Sequence, residues 1–316
     1  LGAMLIITDD SEPDLPSPTL VPVHKVISIA KDRELFLADS SVAMTSDLPK
    51  GFCKKELSAK TNNLDREEYV IQVIYAYPKG APNRFKSFKN IILADVRYAD
   101  SFYKQESQGK RSIAWDLGGP CGSKSLDILS IELPLTVEQY ENMNYSQLKG
   151  SMTSAGSGLP RENKKHYMIY VDGIPWDSIN ALGFAEVYED RAPSITNANN
   201  FYPNSGFVLA IGPKPLKNHK RFEMVRRETF IHELTHTLGS VLSSSPHATT
   251  KGHCRDEFDV MCYNDDGKGS YVRCSDRELR LDCKRDTYFS LKPTGWLSKN
   301  WNTADSPYLK GSPIRP

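Results

Sequence analysis

The chain has 316 residues, 39% of them hydrophobic and 25% charged, enough to bury a sizeable core in one large domain or two smaller ones. Its 40 lysines and arginines stand against 39 acidic residues, so no global field favours nucleic acid, an anionic membrane or an acidic substrate. No apolar run approaches the roughly 20 residues that span a bilayer, and the opening LGAMLIITDD lacks the basic flank and cleavage site of a secretory signal, which suits a processed form.

In chain order, residues 1 to about 65 are rich in Ser, Pro, Asp and Lys and read as an arm or pro-segment-like region, with one short strand-like run at HKVISIA. YVIQVIYAY is β-branched and aromatic and reads as a buried strand ended by the turn PKGAPN. Phe85, Phe88, Ile92, Val96, Ala99 and Phe102 then recur at three- and four-residue steps, which predicts an amphipathic helix. SIAWDL and LDILSIELP read as strands around the loop GGPCGSKS, and TVEQYENMNYSQL reads as one helix capped by Thr136 with Glu138 in its first turn. HYMIYVDG and SGFVLAIG are predicted strands joined by a long Asn- and Pro-rich connection.

Strands mixed with a few helices, without a strict βαβ rhythm, indicate an α+β domain on a twisted mixed sheet. The expected division is 1–65 for the arm, 66–239 for the sheet with its helices, and 240–316 for an irregular, cysteine-bearing remainder.

MVRRETFIHELTHTL is helical, with Val225, Phe230, Leu234 and Leu238 on one apolar edge and Gly239 as its stop. On it His232 and His236 lie one turn apart on the same face, close enough to bind one ion. Glu233 points about a quarter-turn away, where it can take a proton from an attacking water without occupying the metal. That is the logic of H-E-x-x-H metalloproteases. A catalytic zinc needs a third protein ligand and one open position. His247, His253 and Glu257 follow as candidates. Gly239, tolerant of positive φ, lets the chain leave the helix sharply and return to the metal, which favours a histidine on a loop over a glutamate on a second helix.

His232-Glu-Leu-Thr-His236-Thr-Leu-Gly239 is similar to the opening of the extended zinc motif of the metzincin metallopeptidases, and Val260-Met261-Cys262-Tyr263 resembles their Met-turn. The chain departs from the family where Leu242 stands in place of the third histidine. An insertion resembling that of the leishmanolysin-like branch carries the ligand downstream, and the stretch also looks like that of a group of secreted bacterial metallopeptidases. The resemblance covers about residues 53–310, with specific motifs only from 232 to 263. It implies a metzincin-like fold with a backing helix and an active-site helix, one Zn2+, and a protein or peptide substrate hydrolysed by zinc-activated water with Glu233 as general base.

His253 is the preferred third ligand over His247, because it precedes Met261 by a short interval as in matrix-metalloproteinase-like members. Met261 is expected to pack beneath the metal. Tyr263 is expected to donate a hydrogen bond to the developing oxyanion, an ordinary buried tyrosine being the competing reading. SGFVLAIG resembles the family's edge strand, on which an extended peptide lies. Non-catalytic peptide capture on the same scaffold, and a zinc amidase acting on cell-wall amides, are the alternatives.

Six cysteines without a C-x-x-C, the last four in two short-range couples, favour disulfides and an extracellular location. Cys254 with Cys262 would tie the ligand's neighbour to the Met-turn, and Cys274 with Cys283 would clip a loop. Cys53 with Cys121 would staple the arm to the sheet, the rival being a Cys53 thiolate that blocks zinc in a latent form. The acidic stretches 256–259 and 264–267 make Ca2+ possible, but neither has EF-hand spacing and solvated turns are the simpler reading. A monomer that engages no nucleic acid is expected.

Overall fold

The computed structural model describes residues 19–23, 51–52, 69–117, 125–174, 181–209, 211, 219–274 and 279–313. HKVISIA, GGPCGSKS, and Cys53 with Cys121 lie outside them, or nearly so, and are not placed.

Ten strands are present among these residues: β1 (Thr19–Val23), β2 (Gly51–Phe52), β3 (Val70–Lys79), β4 (Ser112–Ile113), β5 (Ser125–Leu126), β6 (Ile128–Thr136), β7 (Lys165–Val171), β8 (Gly183–Val187), β9 (Ser205–Val208) and β10 (Leu309–Lys310). The helices of a turn or more are α1 (Phe85–Glu106), α2 (Val137–Glu141), α3 (Tyr145–Thr153), α4 (Ala198–Phe201) and α5 (His219–Thr237). Six strands form the main sheet in the order β1-β8-β9-β7-β3-β6. The block β9-β7-β3-β6 is parallel, and β8 runs antiparallel to β9. The sheet is therefore mixed, as expected, but its parallel block is larger than the irregular rhythm of the sequence suggested.

Burial on both faces explains the apolar runs of β3 and β7. Successive side chains alternate between faces, so Ile71, Val73 and Tyr75 pack with Ile92, Val96, Phe230 and Leu234 of α1 and α5. Ile74 and Ala76 pack with Tyr140, Leu148 and Met152 of α2 and α3 on the other side. Asp95 of α1 ties the first face together. It accepts two hydrogen bonds from Arg226 of α5, at 2.6 and 2.9 Å, and one from the Tyr170 hydroxyl of β7 at 3.1 Å.

The single helix expected after Thr136 is two. Thr136 and Asn144 each accept the N–H of the residue three on, Gln139 and Gln147, whose side chains return to the cap N–H. A second capping box inside the run starts a new helix.

The stretch SGFVLAIG is not an edge. β9 lies between β7 and β8, because GFAEV, inside the connection read as loop, returns as an antiparallel strand and takes the outer position. β1, from the region read as an arm, pairs beyond it.

After α5 the chain is irregular, as predicted, yet its apolar cluster is continuous with the sheet, from Ile71 through Met261, Tyr288 and Phe289 to Leu309. Two buried carboxylates satisfy backbone donors that regular structure would otherwise pair. Asp282 accepts the N–H groups of Tyr288 and Phe289 at 2.6 and 2.5 Å. Asp259 accepts those of Met261 and Cys283, each at 2.8 Å, and the Tyr288 hydroxyl at 2.7 Å. The Cys254–Cys262 and Cys274–Cys283 disulfides both form.

Candidate metal centre

α5 ends at Thr237, and two residues on Gly239 has a φ of +80°, the left-handed geometry expected of a helix stop. A Cβ there would stand 2.7 Å from Trp301 Nε1 and 2.8 Å from Asn199 Nδ2. Trp301 Nε1 instead donates to the Leu238 carbonyl at 2.8 Å, satisfying one of the helix's last acceptors. The chain then turns back so that residues 248–263 lie beside the helix face that carries the histidines.

His253 arrives on this return. Its carbonyl accepts the Thr249 N–H at 2.5 Å, Cys254 N–H donates to the Met261 carbonyl at 3.1 Å, and the Cys254–Cys262 bond fixes the two segments. His232, His236 and His253, all buried, converge with one donor atom of each within 4.8 Å of the others.

His232 Nδ1 donates to the Val260 carbonyl at 2.6 Å, which leaves the Nε2 lone pair facing inward, 3.0 Å from His236 Nε2. Two nitrogens on one tetrahedral zinc are separated by roughly 3.3 Å. His253 Nδ1 donates to Asp265 Oδ2 at 2.7 Å, the outer carboxylate that orients a ligating imidazole and raises its basicity.

Burial holds His232 down to about 4, against the opposing influence of the Val260 carbonyl and the Asp265 charge. Burial, then the neighbouring His232 and His253, holds His236 well below its ordinary value. Neutral imidazoles are the form a cation binds, so the donor set fits a divalent metal, and its all-nitrogen character suits zinc rather than calcium.

Glu233 is fully buried, and neither carboxylate oxygen has a hydrogen-bond partner among the described residues. Burial pushes its pKa well above the usual carboxylate range. A buried carboxylate without a partner is costly, and a nearby cation would offset that cost. Two glycines make room for it. A Cβ on Gly183 of β8 would fall 2.5 Å from Glu233 Oε1 and 2.6 Å from the Phe207 carbonyl, and one on Gly206 of β9 would fall 3.1 Å from Glu233 Cβ. Gly183→Ala should therefore cost about 1–3 kcal/mol by overpacking and displace the carboxylate. Thermal melting checks this, and an unchanged Tm would contradict the close approach of α5 to β8.

Tyr263 is half-buried, its ring centroid 4.0 Å from that of His253 and 6.0 Å from that of His232. Met261 is buried in the same core cluster as Cys254 and Cys262. His247 lies apart from the converging donors, with Nε2 3.7 Å from Asp286 and its ring edge-on to Tyr271. Glu257 is exposed.

The acidic turns are engaged by protein groups. Asp256 pairs with Arg273 at 3.1 Å, and Asp266 with Arg255. Asp265, read from sequence as part of a solvated turn, instead supports a candidate ligand. Nothing at its position in the sequence pointed to this role. Gly183 and Gly206 carried no signal in the sequence.

No family model matches the chain, and no curated protein matches it. Among solved structures, two crystal forms of wild-type OgpA from Akkermansia muciniphila align over 80% and 79% of this chain and 70% and 69% of theirs. Their identities are 12% and 13%, with TM-scores of 0.33 and 0.32. Catalytically inactive OgpA in complex with an O-glycopeptide substrate, glycodrosocin, aligns over 62% of this chain and 52% of its own at 13% identity, with a TM-score of 0.29. Likeness at this level assigns neither family nor chemistry, which must come from the site.

Proposed function

We propose that the protein is an extracellular zinc endopeptidase with His232, His236 and His253 as metal ligands and Glu233 as general base. The observation that carries the reading is a fully buried carboxylate, unpartnered among the described residues, one residue from the first of three converging imidazoles. A site that only captured peptides would have no use for that carboxylate. The two disulfides are in keeping with an oxidising compartment. No described helix is long and apolar enough to cross a membrane.

Zinc, when bound, supplies Lewis acidity, bringing its water's pKa near neutrality and polarising the scissile carbonyl. Glu233 accepts a proton from the attacking water and returns it to the leaving amine. Val260 and Asp265 hold the imidazoles of His232 and His253 in the orientation that leaves their Nε2 atoms inward. Tyr263, whose ring lies beside those of His253 and His232, is the proposed donor to the developing oxyanion. The substrate lies extended along the outer side of β8, whose Gly183 abuts Glu233.

Elemental analysis should find one zinc per chain. Digestion of casein or a peptide library should stop with a chelator and resume on adding zinc. Zinc-loaded protein inert on every peptide would overturn the reading in favour of peptide capture, and cleavage confined to cell-wall amides would favour an amidase.

A further inference from the structure

We infer that the chain's own segment Thr19–Val23 occupies the peptide-docking side of β8 and competes with an extended substrate for it, so that the protein in this form is self-inhibited through a raised KM while still able to turn over. The inhibition rests on the peptidase reading of the site, whereas the occupancy stands on the pairing alone.

β1 lies antiparallel to β8 in unbroken register, from Thr19 opposite Val187 to Val23 opposite Gly183. β8 has β9 on its other side, so its outer N–H and C=O groups would otherwise be open to an added strand. The register brings Val23 to the residue whose missing Cβ makes room for the Glu233 carboxylate. Val23 is thus one interstrand spacing, about 4.8 Å, from the part of β8 nearest the proposed base. A substrate docked by main-chain hydrogen bonds would need the same row of β8 groups, and both cannot hold it.

The segment is built as a replaceable occupant rather than a permanent strand. Five of its residues are described, and one of them, Pro22, has no N–H to give. Proline sits in a strand only where its missing donor faces away from the ladder, which leaves Thr19, Val21 and Val23 to carry the pairing. By contrast β3 and β7 are longer, paired on both sides and buried on both faces. Residues 24–50 separate β1 from the next described strand, β2, and closure entropy grows only slowly with such length, so release and return are both accessible.

The test compares the zinc-loaded 316-residue chain with Val21→Pro/Val23→Pro, which removes two ladder donors, and with the milder single variant Val21→Pro. Amide exchange at residues 183–187 and binding of a labelled peptide of sequence SPTLVPVHK are measured, with casein cleavage in the same samples. The variants should exchange faster at 183–187, bind the peptide about tenfold or more tightly than the parent, and cleave casein faster, chiefly through a lower KM. Added peptide should slow that cleavage competitively. Equal exchange, or equal peptide binding by parent and variants, would overturn the occupancy. Tighter peptide binding with unchanged, measurable casein cleavage would overturn the inhibition. Tighter binding in samples that all fail to cleave casein would uphold the occupied docking side and count against the peptidase chemistry.

Discussion

Glu233→Gln is expected to leave the protein folded and zinc-loaded while lowering kcat/KM on peptides by about 10²–10⁴-fold, the range a positioned general base supplies. The change is nearly isosteric, so the space left by Gly183 and Gly206 stays filled, and the loss should fall on kcat rather than KM. The same substitution should stabilise the metal-free protein, because a buried carboxylate unpartnered among the described residues is replaced by an amide that has no charge to desolvate. The sign with pH follows from burial raising the Glu233 pKa. Its stability contribution is fully present below the unfolded carboxyl value of about 4.3 and is lost as pH rises through the folded value. The Tm advantage of the metal-free variant should therefore widen as pH rises. Parent-like turnover in zinc-loaded Glu233→Gln would remove Glu233 from the chemistry, whatever its effect on Tm.

The helix α1 and the strands β3 and β7 are legible in the sequence because their burial is regular. α1 buries one face at helical spacing, and the two strands bury both faces over seven residues or more. The two histidines of α5 are equally legible, since spacing along one helix fixes which side chains share a face. β8 is not. Its five residues include Gly183 and the buried Glu186, which is held by Arg161 at 2.8 Å and by the Ser205 N–H at 3.1 Å. A charge neutralised by a residue far along the chain makes a sheet strand read as a loop.

The Asn-rich run that follows misleads in the opposite way. Asn197, Asn199, Asn200 and Asn204 are buried, not solvated. Asn199 both donates to and accepts from the backbone of Tyr188, and Asn204 donates to the Thr237 carbonyl of α5. Their amides replace ladder hydrogen bonds next to the site, a use that composition does not distinguish from a surface turn. The third histidine falls between these cases. The sequence offers His247 and His253 on the same loop, and which of them turns inward is decided by Thr249, the Cys254–Cys262 bond and Asp265; of these only Cys254, the neighbour of His253, was a local signal.

That choice has a large measurable consequence. His253→Ala is expected to abolish stoichiometric zinc binding and with it peptide hydrolysis, whereas His247→Ala, whose ring faces Asp286 and Tyr271, should leave both at the parent level. Alanine at a fully buried position also opens a cavity, so loss of metal there could in principle reflect collapse of the loop rather than loss of a ligand. Asp265→Asn separates the two, because it changes almost no volume and removes only the charge that polarises His253 Nδ1–H. An outer carboxylate of this kind contributes about 10–100-fold to metal affinity, so chelator competition should show zinc held that much more weakly in Asp265→Asn, with the parent's Tm in the metal-free state. His253→Ala should lose more than this. If His247→Ala released the metal and His253→Ala kept it, the return loop would have to deliver the other histidine, and the Val260–His232 and Asp265–His253 hydrogen bonds would no longer describe the loaded site.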